Sequence, residues 1–118
     1  MLRQIKIVCA AALGGVFMVS GASAQGLADI HTQVRVGNKI CMADHYHAGS
    51  SSGHPTRKAA EAAAIASWAG FTAWEYGSNW GHFALAESKT IVCQNVGGWG
   101  CTLDARPCRP AGPQRRRK

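Results

Sequence analysis

Lys89–Ala105 reads KTIVCQNVGGWGCTLDA. Two runs suited to strands, Lys89–Asn95 and Trp99–Ala105, flank Val96-Gly97-Gly98, and a three-residue loop ending on a left-handed glycine joins such runs as a hairpin. That loop sets Asn95 opposite Trp99, Cys93 opposite Cys101 and Ile91 opposite Leu103. Ile91, Cys93, Trp99, Cys101 and Leu103 then share one face, which reads as a core face. A two-residue loop would place the two cysteines on opposite faces, so loop length and crosslink stand or fall together.

The stretch before the hairpin predicts one long helix, Thr56–Tyr76 (TRKAAEAAAIASWAGFTAWEY). Pro55 or Thr56 opens it, and Gly77 suits a left-handed position just past its end. At 100° per residue, Glu61, Ala64, Ile65, Trp68, Phe71, Thr72, Glu75 and Tyr76 form a bulky stripe able to cover a sheet. Ala59, Ala62, Ala63, Ala66, Gly70 and Ala73 form a small-residue stripe, read as exposed. Further upstream, Gln25–Ile30 is a loose lead-in. Thr32–Met42 reads as short extended pieces turning at Gly37-Asn38, and Gly49-Ser50-Ser51-Ser52-Gly53 as a flexible loop. From Pro107 the chain is read as irregular. The expected fold class is α+β: one long amphipathic helix packed on a small antiparallel sheet that includes the C-terminal hairpin.

Of the 13 Lys and Arg residues, six lie at the extreme ends: Arg3, Lys6, Arg115, Arg116, Arg117 and Lys118. The seven that remain nearly balance the 6 Asp and Glu, so the net charge of +7 belongs to the termini. Met1–Lys6 is basic, Ile7–Val19 is an uncharged apolar run, and Ala22 and Ala24 are the small residues a signal peptidase requires. Residues 1–24 therefore read as a cleaved secretory signal peptide, with processing between Ala24 and Gln25. The run falls short of the about 20 apolar residues that span a bilayer. Cys9 sits at the start of that run, the wrong place for a lipidated cysteine. Residues 25–109 form the expected domain and residues 110–118 a disordered basic tail. The expected location is periplasmic or secreted, with no transmembrane segment in the mature protein.

Export gives the cysteines their meaning. Cys41, Cys93, Cys101 and Cys108 are an even set in a short exported chain, and no Cys-x-x-Cys knuckle occurs among them. Two disulfides are expected, Cys93–Cys101 stapling the hairpin and Cys41–Cys108 tying the N-terminal strand to the C-terminal end, against two other pairings.

Few residues suggest chemistry. Asp44-His45-Tyr46-His47, with His54 downstream, offers two imidazoles on one face of an extended segment, and Asp44 and His54 could complete a zinc or copper set. Its plain alternative is a polar loop. Glu75 near a helix C-terminus is electrostatically disfavoured and needs a partner, for which Arg106 or Arg109 is the candidate, with Arg106 preferred. Glu61 lies about 21 Å along the helix from Glu75, too far for an acid–base pair. Gly49–Lys58 lacks the Lys-Ser/Thr pair of a phosphate-binding loop. The four tryptophans with Tyr46 and Tyr76 suit a core better than a sugar-stacking platform. The last four residues, Arg115–Lys118, suit an anionic surface or envelope polymer, and export excludes intracellular nucleic acid. The expectation is a small exported, non-catalytic binding or envelope-associated protein with no cofactor, and the alternative is a zinc- or copper-binding one.

Overall fold

The computed structural model describes residues 24–112. Residues 1–23, nearly all of the segment 1–24 expected as a signal peptide, and residues 113–118, most of the expected basic tail with Arg115–Lys118, lie outside the described residues. Strands β1 (Gln33–Val36), β2 (Lys39–Met42), β3 (His47–Ser50), β4 (Glu87–Asn95), β5 (Trp99–Arg106) and β6 (Cys108–Pro110) flank one helix, α1 (Arg57–Tyr76). The fold is α+β with two antiparallel sheets, ordered β1-β2-β6 and β3-β5-β4. No helix of the described residues is long and apolar enough to cross a membrane.

The β4–β5 register is Asn95 opposite Trp99, Cys93 opposite Cys101 and Ile91 opposite Leu103. Gly97 and Gly98 take φ of 65° and 116°, a backbone that L side chains resist. Cys93 bonds Cys101 and Cys41 bonds Cys108. The hairpin is not the whole sheet, because β3 adds to the far side of β5.

That third strand corrects the flexible-loop expectation for Gly49–Gly53. Gly49 and Ser50 belong to β3, and Gly49 is there because the helix leaves no room for a side chain. A Cβ on Gly49 would lie 2.3 Å from the Ala64 carbonyl and 2.8 Å from Trp68 Cβ. Ser51 then locks strand to helix: its hydroxyl donates to the Ala60 carbonyl at 2.6 Å and accepts from the Cys101 amide at 3.1 Å. The irregular C-terminal stretch is corrected too. Cys108–Pro110 pairs with β2, placing Cys41 opposite Cys108 so that the disulfide joins strand neighbours.

Helix α1 begins where Thr56 accepts from the Ala59 amide at 3.1 Å. At its other end Gly77 has φ 102° and ψ 159°, an extended mirror conformation instead of the expected left-handed helical one. Its buried residues are Ala60, Ala64, Trp68, Thr72 and Tyr76, spaced by four. The first three pack on Cys101, Leu103 and Ala105 of β5. Trp68 is fully buried, and its indole N–H donates to the Ala105 carbonyl at 3.2 Å. Truncating such a residue typically costs about 3–5 kcal/mol. Tyr76, at the C-terminal end, enters a second core with Ala28, Met42 and Trp80. The helix thus spans both cores. Its small-residue stripe is partly covered: a Cβ on Gly81 would meet the Ala69 carbonyl at 2.8 Å and Ala73 Cβ at 3.0 Å.

Candidate functional site

The polar side chains of the interior converge where β3 passes under the last turns of α1. His47, the first residue of β3, is 5% exposed. Its Nδ1 lies 2.9 Å from Thr72 Oγ1, and its Nε2 lies 3.0 Å from Glu75 Oε2. A carboxylate can only accept, so Nε2 carries the hydrogen and donates to Glu75. Nδ1 then accepts from the Thr72 hydroxyl. The ring stacks on Tyr76 at 4.7 Å and tilts against Phe71 at 4.9 Å. Residues 72 and 75 face one strand residue because helix positions three apart lie on one side.

Burial pulls the His47 imidazole below the ordinary histidine value. Glu75 opposes that shift, and the nearby His45 and His31 reinforce it. His47 is therefore neutral at pH 7, in the tautomer the hydrogen bonds select. Burial, and then the Glu75 charge, push the Tyr76 phenol upward, so it stays protonated.

Thr72–His47–Glu75 has the order hydroxyl, imidazole, carboxylate of a nucleophilic triad. Access decides against that chemistry. Thr72 is completely buried and its helix covers it, so no acyl carbon can approach the hydroxyl. Here the relay holds the helix to the strand.

A second histidine layer covers the relay. The His31 and His45 rings lie 3.9 Å apart between centroids, and Tyr76 Oη is 3.4 Å from His45 Nδ1. His31, Asp44 and His45, with Ile30 and Thr32, line a shallow cavity of about 180 Å³. Larger hollows lie away from the histidines. One of about 390 Å³ is bounded by Val36, Gly37, Asn38, Lys39, Leu85 and Glu87, and one of about 280 Å³ sits beside the hairpin turn.

The residues put forward for metal binding are distributed as follows. Asp44 and His45 share the shallow cavity, and His47 is buried behind them with both nitrogens engaged. His54 bridges Trp99 at the turn end of β5, whereas His47 opposes Ala105 at its other end. Six residues of strand, about 20 Å, separate those two positions. Among the described residues, no group of three or more His, Cys, Asp or Glu is arranged to hold a metal ion.

Glu75 has a partner, and it is His47 instead of Arg106. Arg106 Nη1 donates to the Met42 carbonyl at 3.4 Å, and its Nε is buried without a partner. Two members of the cluster escaped the sequence reading of function. His31 arrives from a distant segment with no local signal, and Thr72 is indistinguishable by spacing from an ordinary core residue.

On the outer surface the same end of α1 carries the largest exposed aromatic of the fold. Trp74 is 68% exposed and Phe71 is 46% exposed, with their rings stacked at 6.2 Å and 27°. Comparisons with family models, with curated proteins and with solved structures give no match.

Proposed function

We propose that this protein is a small exported binding module that attaches to anionic envelope surfaces without catalysing a reaction. The observation that carries this reading is the stacked, solvent-facing Phe71–Trp74 pair. An aromatic ring that is apolar at its face and polar at its indole N–H suits the boundary between water and lipid. Single exposed apolar side chains are ordinary, whereas adjacent ones such as this stacked pair are the beginning of a contact patch. Two disulfides are consistent with an oxidising compartment. The basic residues Arg115–Lys118 supply the electrostatic half of the attachment, about 1 kcal/mol each near a negatively charged membrane. Four such charges alone give only millimolar binding, so an apolar contact is needed for anything tighter.

The test is co-sedimentation of the purified protein with vesicles of phosphatidylglycerol and with neutral phosphatidylcholine vesicles. Wild type is expected to prefer the anionic vesicles and to release in high salt. Trp74→Ala should weaken binding at least tenfold while leaving the fold intact, because that side chain is largely solvated; Phe71, whose ring also packs on His47, is left in place. Deleting Gln114–Lys118 should remove most of the salt dependence. Equal binding by Trp74→Ala and the parent would overturn the assignment of this face.

A further inference from the structure

Strand β4 is the outer strand of its sheet. Which of its backbone groups point outward follows from the other side of β5. The amide and carbonyl of Cys101 bond Ser51, and those of Trp99 bond His54. In an antiparallel strand these directions alternate, so Gly100, Thr102 and Asp104 turn toward β4, where they oppose Gln94, Val92 and Thr90. Ile91, Cys93 and Asn95 therefore direct their N–H and C=O groups away from the sheet. The 4.1 Å Cα separation of Cys93 and Cys101 agrees, being that of a pair without mutual backbone bonds.

Proteins ordinarily blunt such an edge with bulges, charge or cover. β4 does so at one end only, where Ser88 has φ 54°, the register breaks between Glu87 and Thr90, and Lys89 follows. At the opposite edge, β3 is four residues long, and Ser67 Oγ accepts from the Ser50 amide. From Thr90 to Asn95 (TIVCQN) β4 carries no charge and is rich in β-branched residues.

We propose that β4 pairs with β4 of a second copy, antiparallel about a two-fold axis at Cys93. The N–H and C=O pairs of Ile91, Cys93 and Asn95 recur at every second residue and are self-complementary in that register: Ile91 meets Asn95 of the other copy on both sides of the axis. A two-fold contact requires one patch to fit itself, and an uncharged run does so without repulsion. Charge near the axis also fits. Glu61 Oε1 lies 3.9 Å from Cys93 Sγ and 3.0 Å from Arg57 Nε. Each copy thus brings one anion and one cation to the centre, where like charges alone would repel. The result is a continuous six-stranded sheet with both helices on one side. On the opposite side, half-exposed Val92 faces Gln94 of the other copy.

Two variants of the full chain test the register. Val92→Lys with Gln94→Lys sets lysine against lysine twice across the axis, whereas Val92→Lys with Gln94→Glu sets lysine against glutamate. Both positions are exposed, so each variant should fold. Light scattering after size exclusion should find a dimer for the parent and for the Lys/Glu variant, with dissociation at least tenfold easier for the Lys/Lys variant. Hydrogen exchange at Ile91, Cys93 and Asn95 should slow as parent concentration rises. A parent that stays monomeric at high micromolar concentration overturns the proposal. So does a dimer that both variants weaken alike, or that neither weakens.

Discussion

Replacing Gly49 by alanine tests how closely α1 lies on β3. The new Cβ would stand 2.3 Å from the Ala64 carbonyl oxygen, where ordinary contact begins at 3.4 Å, so helix and strand must part by about 1 Å. The obstacle is helix backbone, which cannot rotate aside as a side-chain end can. Separation by that amount forfeits roughly a quarter to a half of each dispersion contact along the seam. The seam includes fully buried Ala60, Ala64 and Trp68, and two residues earlier on the same strand it includes the His47 bonds to Thr72 and Glu75. A loss of about 3 kcal/mol is expected, at the upper end for one inserted methyl group. For a domain of this size that lowers the melting temperature by roughly 12–24 °C. Gly70→Ala is the matched control, since a Cβ there meets nothing within 4 Å, and alanine in mid-helix should stabilise by about 1 kcal/mol. Urea titration followed by circular dichroism measures both. A Gly49→Ala protein within 0.5 kcal/mol of its parent would refute the close-approach argument.

Stability should also respond to acid through His47. Its folded-state value lies below its unfolded one, so the unfolded chain binds more protons between the two, and acid favours unfolding. The contribution is complete above the ordinary histidine range and is lost as pH falls through it toward the lowered folded value. Urea midpoints at mildly acidic and mildly alkaline pH should show that slope, and His47→Gln should flatten it. The two disulfides should differ in worth. Cys41–Cys108 spans 67 residues and Cys93–Cys101 spans 8, so loop entropy assigns them about 4 and about 2.5 kcal/mol. Paired Cys→Ser variants, unfolded in urea, should rank in that order.

The parts of the fold legible in the sequence were those set by local rules. The three-residue turn fixed the side-chain faces of β4 and β5, and thereby which cysteines could meet. Thr56 and Gly77 bracketed the helix. What escaped were features set by distant neighbours. Gly49 in a tight strand–helix contact looks like a glycine in a loose loop, because the chemical reason, the Ala64 carbonyl, lies fifteen residues away. Cys108–Pro110 is too short and too proline-flanked to announce a strand, and only its pairing with β2 makes it one. The site divided in the same way. That Glu75 required a partner followed from its place near a helix end, but the choice of His47 over Arg106 depended on where β3 runs. His45 and His47 stood out by spacing, whereas His31 could be found only from the packing.

The Cys41–Cys108 bond closes a covalent ring that contains α1 and the whole of β3, β4 and β5, and this bears on how the molecule withstands proteases. Arg57, Lys58, Lys89 and Arg106, the basic residues between the bonded cysteines, all lie inside the ring. A trypsin-like enzyme passes over Arg106, because Pro107 follows it, and a cut after any one of the other three opens the circle without releasing a fragment. The severed ends remain tethered and the core can still hold its shape. Only a second cut frees a piece, and one made after Arg57 or Lys58 together with Lys89 still leaves the Cys93–Cys101 staple intact. In a peptidase-rich, oxidising environment such a chain can be nicked and still keep its core together.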